Sequence, residues 1–127
     1  MELMAIFTAL ILVQTLFFGF EVGKARGKYS IKAPAVSGNE QFERYYRVHQ
    51  NTLEQIVIFL PSFWLFGYFV SESIAAGLGF LFIVGRFVFR SAYLKDPSSR
   101  EIGFLLSFLP IAVCLFGSIF FVIRSMM

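Results

Sequence analysis

Four apolar stretches, each long enough to cross a lipid bilayer, take up most of this sequence of 127 residues. They cover about residues 3–20, 53–70, 74–94 and 102–123, and a spanning helix needs roughly 20 mostly apolar residues. Only 15% of the residues are charged, against about 25% in an ordinary soluble domain. The sequence therefore predicts one all-α domain over residues 1–127, an integral membrane bundle of four helices in up-down order.

The ends of the stretches predict how the chain is oriented. The first stretch lacks the basic start and small-residue cleavage site of a signal peptide, so we expect it to be a retained span. Residues 21–50 contain six lysines and arginines, whereas Glu72 is the one charge in the short connection at 71–73. The positive-inside rule then places the first and third loops in the cytoplasm and both termini on the opposite side. We interpret the basic loops as a topology signal that also attracts membrane lipids, and no feature indicates nucleic-acid binding.

Polar side chains continue from the first loop into the second apolar stretch. Extending the second helix back to about residue 41 places Arg47, Asn51 and Glu54 at i, i+4 and i+7, which is one helical face. The third stretch carries a second stripe at the same end of the bundle, formed by Arg86, Phe89, Arg90 and Tyr93.

The depth of Arg86 decides how its charge is interpreted. It lies eight residues before Leu94, about 12 Å along a helix axis, and an arginine within a span costs about 2.5–3.5 kcal/mol on insertion scales. One interpretation is an ion pair between Arg86 and Glu54 that only joins two helices. One carboxylate cannot balance Arg47, Arg86 and Arg90 together, however, so the excess positive charge predicts an anionic ligand.

The sequence does not indicate a metal site or a disulfide. It has one cysteine, Cys114, within the fourth stretch, and one histidine, His49, which cannot form a cluster with metal-ligand spacing. We interpret Cys114 as an apolar filler. No metal cofactor is expected.

The segment FERYYRVHQNTLE, residues 42–54, resembles the signature of the MAPEG family, the membrane-associated proteins of eicosanoid and glutathione metabolism. The family pattern is roughly F-E-R-x-x-R-x-x-x-N-x-x-E. The segment GRFVFRSAYLKDPSSR, residues 85–100, is similar to the third helix and following loop of the leukotriene-forming members. All six fixed positions of the signature match, at Phe42, Glu43, Arg44, Arg47, Asn51 and Glu54.

The resemblance implies a left-handed four-helix bundle that assembles as a homotrimer, with glutathione held between neighbouring subunits near the cytoplasmic face. It assigns Arg100 the role of activating the glutathione thiol. It assigns glutathione contacts to Arg26, Arg47, His49, Asn51, Glu54, Arg86, Phe89 and Tyr93.

The chemistry of glutathione agrees with these residue types. The tripeptide carries two carboxylates, one ammonium and one thiol, so its site must supply several cations and one anion. Guanidinium groups bind carboxylates bidentately and stay protonated when desolvated, and Glu54 is the natural partner of the ammonium. A thiol with a pKa near 8.5 is mostly protonated at neutral pH, so Arg100 would raise the thiolate fraction.

The predicted activity is that of a glutathione S-transferase, in which the thiolate attacks a lipophilic electrophile or a lipid hydroperoxide that arrives from the bilayer. Gly27, Phe89 and Gln55 depart from the leukotriene-forming members, where an arginine, a tyrosine and an aromatic residue stand. His49 matches an R-x-H-x-N form seen among microsomal transferases. These differences favour a general transferase or peroxidase with a detoxification role, and the short segment after the fourth stretch favours a bacterial inner membrane.

Three alternatives remain open. The chain could be a non-catalytic lipid-binding relative, a glutathione-dependent isomerase resembling prostaglandin E synthase, or a small four-span drug exporter. Arg100 argues against a pure binding protein, which needs no thiolate stabiliser. The first stretch has no carboxylate before Glu21, which argues against an exporter.

Overall fold

The computed structural model describes all residues, 1–127, as four long helices without strands. Each helix is long and apolar enough to cross a membrane, so the predicted all-α membrane bundle is confirmed. A short 3-10 turn, Pro97–Ser99, joins the last two helices. The helices are α1 (Glu2–Tyr29), α2 (Glu40–Phe69), α3 (Glu72–Lys95) and α4 (Glu101–Met126).

Local polar groups define where the helices begin and end. The side chain of Asn39 accepts a hydrogen bond from the Phe42 N–H at the start of α2, and Ser71 does the same for Ile74 at the start of α3. Both residues satisfy backbone donors that a helix leaves unpaired at its first turn. Ser30 ends α1 in the left-handed conformation, with φ at 58°, as is common just beyond a helix C-terminus.

The middle of the bundle is an apolar core formed around α2 and α3. The helix α1 packs against both on one side, and α4 packs against both on the other. The rings of Phe59 and Phe82 stack with centroids 4.3 Å apart, and Met4 and Cys114 are completely buried beside them. Many large apolar side chains are exposed on the outer surface, Val57 at 72% among them, which is expected of helices that face lipid rather than water.

Two glycines allow an unusually close approach of α3 and α4. A Cβ on Gly103 would collide with the backbone of Phe89, and a Cβ on Gly85 would lie 2.7 Å from the Ser107 nitrogen. Because both positions lack a side chain, the start of α4 lies directly against the last three turns of α3. This contact brings Arg100, which precedes α4, next to Phe89 and Tyr93.

Candidate functional site

A cavity of about 380 Å³ opens at the end of the bundle that carries the α1–α2 loop and the 3-10 turn. Five of its six lining residues are among those assigned from the sequence, and Phe104 is the sixth. The cavity therefore joins residues from α2, α3 and the start of α4 that are far apart in the sequence. Its lining residues are Arg47, Asn51, Phe89, Tyr93, Arg100 and Phe104.

One wall of the cavity is aromatic. Phe89 and Tyr93 are four residues apart on α3, and their rings stack with centroids 5.4 Å apart and planes 16° apart. Phe89 is buried, whereas Tyr93 is partly exposed. The pair thus forms a rigid apolar surface that ends in the polar hydroxyl of Tyr93.

Arg86 lies beneath this wall and is completely buried. Its guanidinium carbon is 4.3 Å from the centroid of the Phe89 ring, a cation–π contact. It does not pair with Glu54, so the ion pair considered from the sequence is absent. Its five hydrogen bonds all go to uncharged side chains, at 2.7 to 3.2 Å, on Asn51, Thr52, Gln55 and Ser107.

The contact between Arg86 and Asn51 orients the amide of Asn51. The Nη2 of Arg86 donates to the Oδ1 of Asn51 at 2.7 Å. Because a guanidinium has donors only, the amide oxygen must be the atom that faces Arg86. The amide nitrogen of Asn51 is then left as a donor for a ligand in the cavity, where it would bind a carboxylate or a carbonyl oxygen.

Arg47 lines the cavity, whereas Glu54 lies outside the lining, beside Arg47 on the exposed face of α2. Their closest charged atoms, Nη1 and Oε1, are 3.9 Å apart, and 51% and 61% of the two side chains are exposed. An exposed pair at this distance contributes little to stability, about 0–1 kcal/mol. Both charges are therefore available to a ligand of opposite charge.

The 3-10 turn holds Arg100 at the mouth of the cavity. Asp96 accepts hydrogen bonds from the backbone N–H and the hydroxyl of Ser98, and these bonds lower the pKa of its carboxyl. The Ser99 hydroxyl donates to the Asp96 carbonyl at 2.7 Å, which closes the turn. Arg100 is exposed and has no carboxylate within ion-pair distance, so its charge is free to bind an anion.

Arg26 and His49 do not line this cavity in the single chain. Arg26 donates to the carbonyl of Ala35 at 2.7 Å and lies over the ring of Phe42, so it fastens the first loop to α1. His49 packs against Gly19 and lines a separate groove between α1 and α2. Both residues are on the side of α2 that carries α1, whereas the cavity is on the side that carries α4.

The charge balance predicted from the sequence set Arg47, Arg86 and Arg90 against Glu54 alone and left out the carboxylate of Glu21. Glu21 of α1 binds Arg90 through both carboxylate oxygens, with Nε to Oε1 at 2.6 Å and a second contact between Nη2 and Oε2. Arg90 is therefore already neutralised, and the excess positive charge comes from Arg86 and Arg100. Glu21 is the one acidic residue at the loop end of the first apolar stretch. Its position at the same end of the bundle as the arginines was the sequence feature that could have predicted this ion pair.

Comparison with known protein families shows which family the chain belongs to. The model of the MAPEG family matches residues 4–120. This chain belongs to the MAPEG family.

Similar MAPEG proteins come from bacteria and animals. The chain is 40% identical over 115 residues to the uncharacterized protein sll1147 of Synechocystis sp., which covers 91% of this chain and 84% of that protein. It is 37% identical over 105 residues to microsomal glutathione S-transferase 2 of Homo sapiens, over 83% of this chain and 71% of that enzyme. It is 30% identical over 98 residues to leukotriene C4 synthase of Bos taurus, over 77% and 65% of the two chains. Family membership and four apolar helices together make this MAPEG protein an integral membrane protein with four spans.

Proposed function

We propose that this MAPEG protein is a membrane-bound glutathione S-transferase, which activates the glutathione thiol for attack on lipophilic electrophiles or lipid hydroperoxides. One observation carries the proposal. Arg47, Arg100 and the amide donor of Asn51 converge on one cavity that no carboxylate lines, and the exposed carboxylate of Glu54 lies beside Arg47. The names of the relatives support it, since one is a microsomal glutathione S-transferase.

The charges of the cavity match those of glutathione group by group. Arg47 and the Asn51 amide nitrogen are donors for the two carboxylates. Glu54 supplies the anion that the ammonium of the γ-glutamyl residue requires. The stacked rings of Phe89 and Tyr93 bound the peptide on one side and exclude water from it, which strengthens each of these charged contacts.

Arg100 is the residue to which we assign thiol activation. Its guanidinium is unpaired at the mouth of the cavity. Arg100 directly precedes the first residue of α4, and the dipole at the N-terminus of a helix also favours an anion. Both effects stabilise a thiolate relative to a thiol, with the proton released to solvent. The thiolate then forms a bond to the electrophilic carbon while the leaving group departs with its electron pair. Reduction of a hydroperoxide instead consumes two glutathione molecules and yields an alcohol, water and glutathione disulfide.

The proposed assembly is a homotrimer with each site shared between neighbouring subunits. It would explain why Arg26 and His49 match the family pattern although neither lines the cavity of their own chain. It also agrees with the exposure of more than half of the Arg47 and Glu54 side chains, which a neighbour would cover. The basic loops orient the cavity toward the cytoplasm, and the Synechocystis relative agrees with a bacterial membrane.

Turnover by the purified protein in detergent tests this function. We expect glutathione-dependent conjugation of a chromogenic aryl halide, reduction of a lipid hydroperoxide, or both. Arg100→Gln should lower the rate by about 10²–10³, the usual effect of removing one stabiliser of a developing anion. Arg124→Gln is the matched control, because Arg124 is exposed at the other end of α4 and should leave the rate unchanged. Glutathione binding without turnover on either substrate would favour a non-catalytic member, and no binding at all would overturn the proposal.

A further inference from the structure

A second cavity, of about 290 Å³, lies between α1 and the start of α2 at the loop end of the bundle. None of its lining residues takes part in the proposed glutathione site. The walls combine positive charge, phenol hydroxyls and an apolar floor. The lining residues are Phe17, Glu21, Lys24, Ala25, Lys28, Tyr29 and Tyr45.

The net charge of this cavity is positive. Lys24 and Lys28 are one helical turn apart on α1 and so project from the same face, and neither has a carboxylate within ion-pair distance. Glu21 also lines the cavity, but both of its oxygens are bound by Arg90. Two ammonium groups are therefore left without a counter-ion.

Two tyrosines add uncharged donors. Tyr29 and Tyr45 both line the cavity, and each brings a phenol hydroxyl that can donate to an oxygen anion. Tyr29 also lies under Lys28, with the ammonium 5.4 Å from the ring centroid. Ammonium and hydroxyl donors surrounding one space are suited to a phosphate group.

The floor of the cavity continues into the lipid-facing surface. Phe17 is 44% exposed, and Val13, one turn further into the span on α1, is 60% exposed. Phe87 of α3 is 42% exposed. Its ring meets that of Phe18, the residue after Phe17, edge-on, with the ring centroids 5.8 Å apart. A ligand with a phosphate between the lysines would thus have an apolar surface directly below it, running toward the middle of the bilayer.

We propose that this cavity binds the headgroup of an anionic phospholipid. Lys24 and Lys28 hold the phosphate, Tyr29 and Tyr45 donate to its oxygens, and an acyl chain lies along Phe17. A free phosphate would use the same donors but not the apolar floor. The cavity lies at the basic end of the bundle, where the positive-inside rule predicts contact with the anionic cytoplasmic leaflet.

Thermal unfolding and native mass spectrometry of the full chain in detergent test this site. The additives are phosphatidylglycerol, phosphatidylcholine and inorganic phosphate. We expect phosphatidylglycerol to remain bound to the wild type and to raise its unfolding midpoint, and the other two additives to do neither. In Lys24→Gln/Lys28→Gln, the fraction of protein with bound phosphatidylglycerol should fall at least tenfold.

The control is Lys32→Gln/Lys95→Gln, which removes the same charge from exposed residues outside the cavity and should bind lipid like the wild type. An equal loss of bound phosphatidylglycerol in both double variants would mean that the lipid is held by general electrostatic attraction, and would overturn the site. If inorganic phosphate raised the unfolding midpoint as much as phosphatidylglycerol does, the cavity would be a free-phosphate site instead. Should the cavity variant fail to fold, Tyr45→Phe removes one donor at constant shape and is expected to lower lipid retention. Glutathione affinity by calorimetry should be unchanged in Lys24→Gln/Lys28→Gln, so this proposal and the transferase proposal can fail separately.

Discussion

Replacing Arg86 with lysine tests whether the buried guanidinium organises the cavity. Arg86 donates to four side chains that supply one acceptor each, whereas lysine has three donors. At least one of these acceptors therefore loses its donor while the charge is kept. An unpaired buried polar group costs about 1–3 kcal/mol, and we expect the free energy of unfolding to fall by this amount.

The same substitution should weaken glutathione binding through Asn51. The guanidinium holds the Oδ1 of Asn51 at 2.7 Å, and without it the amide loses its fixed orientation toward the cavity. Loss of one hydrogen bond to a charged group is worth about 1.5–3 kcal/mol. This corresponds to a dissociation constant raised roughly 10- to 150-fold, measured by calorimetry in detergent.

A double-mutant cycle decides whether Arg86 acts through Asn51. Asn51→Ala and Arg86→Lys should each weaken binding, and the combined variant should be no weaker than Asn51→Ala alone, because the two residues act as one unit. Ser107→Ala removes another acceptor of Arg86 and should lower stability without changing the dissociation constant. Fully additive losses in the combined variant would refute the positioning role of Arg86.

Two further substitutions test the packing and the charge of the cavity. Gly103→Ala should lower the free energy of unfolding by about 1–3 kcal/mol and weaken glutathione binding, because its Cβ would collide with the backbone of Phe89. The control in thermal unfolding is Gly77→Ala, which should be neutral because an added Cβ there would have no neighbouring atom within 4 Å. Glu54→Gln should raise the dissociation constant of glutathione at least tenfold without lowering stability, since Glu54 is exposed. Equal affinity of wild type and Glu54→Gln in calorimetry would exclude an ammonium contact, and an analogue that lacks the amino group should bind both alike.

The fold was predictable from the sequence because the length and hydropathy of a span are local properties. The same holds for the face that carries Arg47 and Asn51, since their spacing alone places them together on a helix. The structure brings both into one cavity with Phe89, Tyr93 and Arg100. Their roles in glutathione binding stay predictions.

The pairing of charges was not predictable in the same way. Whether Arg90 binds Glu21, and whether Arg86 points to Gln55 or to Glu54, depends on the rotation of each helix about its axis. That rotation is set by packing between helices, to which Gly103 and Gly85 contribute by their missing side chains. Gln55, seen in the sequence only as a departure from related enzymes, becomes intelligible as an acceptor for the buried guanidinium.

The ionisation of bound glutathione tests the central claim most directly. Mixing glutathione with the purified protein at neutral pH should produce an immediate rise in the ultraviolet absorbance of the thiolate. In Arg100→Gln most of that rise should disappear while calorimetry still detects binding, and Arg124→Gln should behave like the wild type. A full thiolate signal in Arg100→Gln, or no signal in the wild type when glutathione is bound, would contradict the account.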